Sequence, residues 1–290
     1  MLLEFGAYNF ASFKEGFEIN LRKNKNSLEA NTLMGIKGAN ASGKTNVLKV
    51  PAFLSDFYNN SFNLEVDENI IFSSFFNNNR ETSIYAIFSE NSIEYKYEID
   101  LTRDKVIKES IYRKDKLIIE RIGDKLTENT IEEFKDLKTM ILRDNVSLIS
   151  TAKQYGTKSI ETIYHLFFKI NGNVHAYGLA DKFLNHESVS KSYFEDKKLL
   201  DFLKEILIKT DTGISDIEIH EKINPETKKV TYYPIFVYKV EEEINYLTYY
   251  NQSSGTKTLY THLFLYKRIL QMGGILILDE LDINLHPDLI

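Results

Sequence analysis

Apolar residues grouped on either side of a polar break over the first twenty residues predict strands around a turn. Leu2, Leu3 and Phe5 lead into Asn9-Phe10-Ala11-Ser12-Phe13, after which Phe17, Ile19 and Leu21 alternate with polar residues. Leu33-Met34-Gly35-Ile36 is a short apolar run expected to be a strand ending at Lys37-Gly38. A helix is expected next, with Val47, Leu48 and Phe53 apolar and Pro51 kinking it or ending its regular part. Residues 67–122 carry Ile93, Tyr95, Tyr97 and Ile99 in strict alternation, with turns at Asn91-Ser92 and Arg113-Lys114-Asp115. They predict an antiparallel sheet of three or four strands. Residues 128–209 read mostly as helix; Leu199, Leu200, Leu203, Ile206 and Leu207 make one apolar face. Strands return over 216–250, a helix follows from about Thr256 to Leu270, and Gly273-Gly274 end it. Ile275-Leu276-Ile277-Leu278 has no polar position, the pattern of a central strand covered on both faces.

Composition narrows the class. Apolar residues at 43% and charged residues at 27%, with only 4 Pro, exclude collagen-like and wholly disordered chains. The net charge of −6 means that any nucleic-acid contact requires a local basic patch. Arg103, Lys105, Lys108, Arg113, Lys114 and Lys116 cluster, but Asp104, Glu109 and Asp115 interleave with them, which favours a solvated hairpin face. The absence of cysteine excludes disulfides, thiolate metal sites and cysteine nucleophiles. With no signal-like start and no apolar run of spanning length, a cytoplasmic protein without a membrane segment is expected.

Three motifs carry the chemistry. Gly38-Ala39-Asn40-Ala41-Ser42-Gly43-Lys44-Thr45 matches G-x-x-x-x-G-K-[ST], with Asn46 next. Its glycines allow the backbone to approach a polyphosphate, its N–H groups point inward, and the following helix adds positive field. Lys44 is placed to reach the β- and γ-phosphates, and the Thr45 hydroxyl to ligate Mg²⁺. The apolar run 275–278 ends in Asp279-Glu280, delivering Asp279 to the Mg²⁺ shell and Glu280 to the place of a general base or water-orienting group. Gln252-Ser253-Ser254-Gly255-Thr256-Lys257 puts a Ser/Gly turn at a helix start ahead of that acidic strand. By itself such a turn is also an ordinary N-cap.

Taken together these residues resemble the RecF/SMC/OLD type of ABC-class ATPase, within it the prokaryotic AAA-family ATPases of the abortive-infection, anti-phage group. Phe10-Ala11-Ser12-Phe13, the run from Phe75 through Tyr97 to Tyr112, Asp211-Thr212-Gly213-Ile214, and Leu285-His286-Pro287 after Asp279-Glu280 share the likeness. It implies an α/β fold: a P-loop NTPase core sheet of ABC type with an antiparallel β lobe and an inserted helical lobe. One ATPase domain would cover 1–290, with N-terminal strands and P-loop in 1–66, the β lobe in 67–122, a helical insertion in 123–215, and the signature helix and acidic strand in 216–290. The signature serine would be Ser253 when Gly255 aligns with the family's most constant glycine, with Ser254 as the alternative; either would reach the γ-phosphate held by a second subunit. His286 would fall in the D-loop and Gln154 is a candidate Q-loop glutamine. The remaining histidines show no metal-ligand spacing. The family continues beyond the equivalent of Ile290 into a switch histidine, so a truncated chain is expected.

The expected function is that of an ATP- and Mg²⁺-dependent ATPase. It closes a homodimer around two nucleotides and controls an effector protein, a nuclease or toxin, in anti-phage defence. A RecF-like DNA-repair ATPase, with DNA as partner, and a non-hydrolysing nucleotide sensor are the alternatives.

Overall fold

A computed structural model describes residues 1–179, 185–210 and 213–280. The described residues divide into two compact units, one of residues 1–179 with 273–279 and one of residues 185–210 and 213–272 with 280.

The first unit is built on a seven-stranded antiparallel sheet. Its strands are β1 (Leu2–Tyr8), β2 (Phe17–Asn20), β3 (Thr82–Glu90), β4 (Ile93–Leu101), β5 (Val106–Arg113), β6 (Lys116–Ile122) and β7 (Lys125–Leu126), in the order β2-β1-β3-β4-β5-β6-β7. The alternation in β4 buries Tyr95, Tyr97, Ile99 and Leu101 on one face. The β3–β4 and β5–β6 connections are two-residue turns with both residues left-handed: Asn91 and Ser92 at φ 52° and 59°, Lys114 and Asp115 at 50° and 60°. That geometry matches the twist of the flanking strands, so it fixes register.

Helix α1 (Lys44–Asn60) lays Val50, Phe53, Leu54, Phe57 and Tyr58 into the core. Of the two outcomes expected at Pro51, the helix does not end there but continues to Asn60. The ring's missing N–H costs one hydrogen bond, while the buried residues on either side hold the helix together. Short helices α2 (Leu148–Gln154) and α3 (Glu161–Phe168) follow. Phe167 packs on Tyr58 at 4.0 Å and on Phe88 at 4.8 Å between ring centroids.

Residues 33–36 form no strand: among the described residues nothing pairs with them, and Leu33 is 88% exposed. A strand exists only where a neighbour takes its N–H and C=O groups. Conversely, the stretch read as helix contains β8 (Ile170–Gly172), β9 (Val174–His175) and β10 (Gly178–Leu179). Asn171-Gly172 breaks the helical run, and β8 finds a parallel partner more than a hundred residues away.

The second unit contains α4 (His186–Glu195), α5 (Lys197–Thr210), the antiparallel sheet β11 (Ile214–Ile223), β12 (Val230–Val240) and β13 (Glu243–Thr248), and α6 (Ser254–Gln271). The apolar face read in α5 is in place: Leu199, Leu203 and Leu207 are buried with Tyr193, Ile217, Phe236 and Tyr260. The Tyr193 hydroxyl donates to the Tyr260 carbonyl at 2.9 Å, which satisfies a buried polar group. The chain then returns to the first unit as β14 (Ile275–Ile277), paired in parallel with β8. Only Ile277 of this strand is buried, Ile275 and Leu276 being half-buried, because β8 is its one partner among the described residues.

Candidate active site

The glycine-rich loop ends where α1 begins. Gly43 is the residue before the helix and has φ 93°, left-handed backbone that glycine adopts without strain. A Cβ there would lie 2.8 Å from the Phe13 ring and 2.9 Å from Ser12 Oγ. The Phe10–Phe13 turn, closed by hydrogen bonds of 3.0 and 2.8 Å between those two residues, therefore packs on the loop and sets its shape. Asn46 Nδ2 donates to Ser12 Oγ at 3.0 Å and ties the same turn to α1. The Lys44 ammonium donates to the carbonyls of Gly38 and Ala39 at 3.0 and 2.9 Å, which keeps it across the loop.

Thr45, in the first turn of α1, meets the acidic strand end. Its hydroxyl donates to Asp279 Oδ2 at 2.5 Å across 234 residues of sequence. Asp279 is 9% exposed. One turn further along α1, burial pushes the Lys49 ammonium pKa down, and the Asp279 carboxylate opposes that shift. A hydroxyl and a carboxylate in contact are hard oxygen donors that fit Mg²⁺, which takes one or two carboxylates and completes its shell with water and phosphate oxygens. Among the described residues there is no group of three or more His, Cys, Asp or Glu able to hold a metal. A metal here would thus depend on the phosphates it bridges.

Sequence reasoning missed Asn173. Its side-chain amide donates to the Asp279 carbonyl and its Oδ1 accepts from the Asp279 N–H, both at 2.8 Å. The amide imitates a strand backbone and extends the β8–β14 pairing by one rung, holding the Asp279 peptide from both sides. Gly172 makes the approach possible, since a Cβ there would lie within bonding range of the Ile277 carbonyl oxygen. The signal in the sequence was Asn171-Gly172-Asn173, a strong breaker inside a stretch otherwise read as helix.

Glu280 is exposed and left-handed, with φ 49°, so the chain turns sharply after Asp279. Gln154 closes α2, exposed, and among the described residues no hydrogen bond joins it to the loop or to Asp279. In the second unit Ser253 is the N-cap of α6: its Oγ accepts from Thr256 N at 3.1 Å and lies 2.9 Å from Thr256 Oγ1. Ser254 and Gly255 form the first helical positions. Buried Gln252 anchors the turn by accepting from the Tyr238 hydroxyl at 2.6 Å. His286, with Leu285 and Pro287, lies outside the described residues, as do Asp211 and Thr212.

A mixed α/β domain with a large antiparallel sheet and a P-loop joined to a distant carboxylate is the class that this fold and site define. Residues 33–290 match the family described as "AAA domain, putative AbiEii toxin, Type IV TA system", and the chain belongs to it. It is a nucleotide-binding ATPase domain of AAA type, a class that uses a nucleotide and typically Mg²⁺. Among solved structures, the SMC head domain from Thermotoga maritima is similar at 13% identity with a TM-score of 0.40, over 98% of this chain and 79% of that one. No curated protein matches the chain.

Proposed function

We propose that this domain binds ATP with Mg²⁺, hydrolyses it, and uses the cycle to close and open a dimer that controls an effector. The observation that carries the reading is the Thr45–Asp279 contact, which brings together the two side chains that this reading assigns to the cation. In this scheme the N–H groups of residues 38–46 and the Lys44 ammonium hold the phosphates. The Thr45 hydroxyl and Asp279 carboxylate hold the cation, which would neutralise charge on the phosphate oxygens when bound. Glu280, exposed beside Asp279 in sequence, orients the attacking water and accepts its proton.

Dimer closure rests on the likeness of Ser253-Ser254-Gly255 to an ABC signature. Ser253 caps α6, and the positive end of that helix would favour an anion. A nucleotide shared between two copies would supply contacts that ADP, lacking the γ-phosphate, cannot make. The family's description names a putative toxin and a type IV toxin–antitoxin system, which supports an effector of that kind over a repair role. The basic cluster weakens the DNA alternative. Arg113 is held by both oxygens of Glu133 at 3.0 and 2.7 Å, and Lys108 sits 3.2 Å from Glu120.

Three proteins test this reading by ATP binding, phosphate release and light-scattering mass. Wild type should bind and turn over, Lys44→Ala should lose binding, and Glu280→Gln should bind without turnover and accumulate dimer. A Glu280→Gln protein that stays monomeric with saturating ATP and Mg²⁺ would overturn the dimer. Undiminished phosphate release in Lys44→Ala would overturn the site.

A further inference from the structure

A recess of about 420 Å³ opens beside the first two turns of α1, lined by Ala11, Ser12, Asn46, Lys49, Phe75 and Phe76 among others. Its volume falls within the range of small-molecule sites. Asn46 follows directly on the Gly-Lys-Thr of the phosphate loop, so the recess begins where the cradle ends.

The wall opposite α1 is unusual. Phe76 is 87% exposed, so its ring gains almost nothing from burial. It is also left-handed, at φ 50° and ψ 31°, and Asn77 after it has φ 53°. Two successive non-glycine residues in that region are strained, and such strain persists only where the surroundings impose it. Here they do. Ala11 N donates to Ser73 O at 2.7 Å, Ser74 Oγ to Asn78 O at 2.6 Å, and Asn78 Nδ2 to Phe75 O at 2.6 Å. Asn9 adds a clamp, donating to the Asn78 amide oxygen and to the Glu81 carbonyl at 3.1 and 3.0 Å. The Phe75 ring stands edge-on to Phe76 with centroids 4.6 Å apart, which limits where that ring can go. A rigid scaffold therefore presents an uncovered aromatic face at the rim of a cavity contiguous with a phosphate-binding loop. On the facing wall Asn46 donates to Ser12, while its amide oxygen accepts no hydrogen bond among the described residues.

We infer that this recess takes the purine base of the bound nucleotide, with Phe76 as its stacking platform and Asn46 as a polar contact at its edge. The inference rests on the nucleotide reading above and adds to it the position of the base. A flat π-system next to a polyphosphate is the chemistry that a bare phenyl ring and a side-chain amide recognise together.

The chain has no tryptophan, so Phe76→Trp introduces a single tryptophan at the rim, which can be excited apart from the 18 tyrosines. Wild type, Phe76→Ala and Phe76→Trp would be titrated with ATP–Mg²⁺ and with inorganic tripolyphosphate–Mg²⁺, which has the charge and no base. The expected result is ATP affinity about tenfold weaker in Phe76→Ala, unchanged tripolyphosphate affinity, and quenching of the introduced tryptophan by ATP alone. Thermal melts matching wild type would confirm folding, as expected for an exposed position. Equal ATP affinity in Phe76→Ala, or a silent tryptophan while ATP is bound, overturns the recess and leaves the phosphate site standing. Parallel loss of tripolyphosphate binding in Phe76→Ala also counts against it. Failure of the wild type to bind either compound overturns the nucleotide reading, and the recess with it.

Discussion

A buried ion pair illustrates how single residues hold the first unit together. Glu109 and Arg121 are both fully buried, 3.4 Å apart. Arg121 also donates to the carbonyls of Gly123, Val146 and Arg143, and Glu109 accepts from Ser147 Oγ and from Leu148 N at the start of α2. The pair thus fastens β5 and β6 to the chain entering α2. Removing one partner strands the other charge out of water, so Arg121→Met should cost about 3–5 kcal/mol in urea unfolding. Arg121→Met combined with Glu109→Leu should cost less than the sum of the single changes, and strict additivity would refute the coupling. A neighbouring carboxyl sets a pH dependence. Buried Glu120 accepts from Asn129 Nδ2 at 2.6 Å and Thr127 Oγ1 at 2.9 Å, and these donors, with Lys108, hold its pKa below the ordinary 4.5. The folded state therefore takes up this proton less readily than the unfolded chain. Its contribution is full above about pH 4.5 and is lost as the pH falls through the lower folded value. Melting temperatures below that pH should drop less steeply in Glu120→Gln than in wild type.

Elements answer to different constraints. The tight turns of the large sheet carry non-glycine residues at positive φ, so Ser92→Gly should raise stability by up to about 1 kcal/mol, read from the urea midpoint. Next to the site, the relevant element is the short β8–β14 pair with its side-chain rung. Asn173→Leu keeps volume and removes both hydrogen bonds to the Asp279 peptide, so nucleotide binding should come to need roughly tenfold more Mg²⁺. Binding measured without metal should stay unchanged. A variant with wild-type metal dependence would show that the amide is structural only. Asn173 was hidden because its partner lies 106 residues away, and no local pattern marks an asparagine as a strand mimic. The strand expected at 33–36 failed for the converse reason: four apolar residues are only a propensity, and pairing requires a neighbour.

For the whole molecule, charge and ion pairing bear on partners. Net charge −6, together with a basic hairpin whose Lys108 and Arg113 are engaged by Glu120 and Glu133, argues against tight duplex binding. A 20-base-pair duplex in physiological salt should bind more weakly than about 10⁻⁴ M by fluorescence anisotropy. Steep salt-dependent binding below that value, strengthened by ATP, would restore a DNA role. No helix among the described residues is long and apolar enough to cross a membrane.

What the sequence determined by itself was whatever is written in consecutive residues: the phosphate loop, the hairpin period of β3–β6, the apolar face of α5 and the cap of α6. Each is governed by backbone geometry and side-chain spacing over a turn or a strand, so no distant residue is needed to specify it. Tertiary structure decided what depends on who meets whom. It seated the Phe10–Phe13 turn on Gly43, closed Thr45 onto Asp279, set Asn173 against the Asp279 peptide, and left Phe76 bare beside Asn46. Contacts of that kind carry a loop-closure cost met only by the packed core as a whole, which is why no single stretch of sequence announces them.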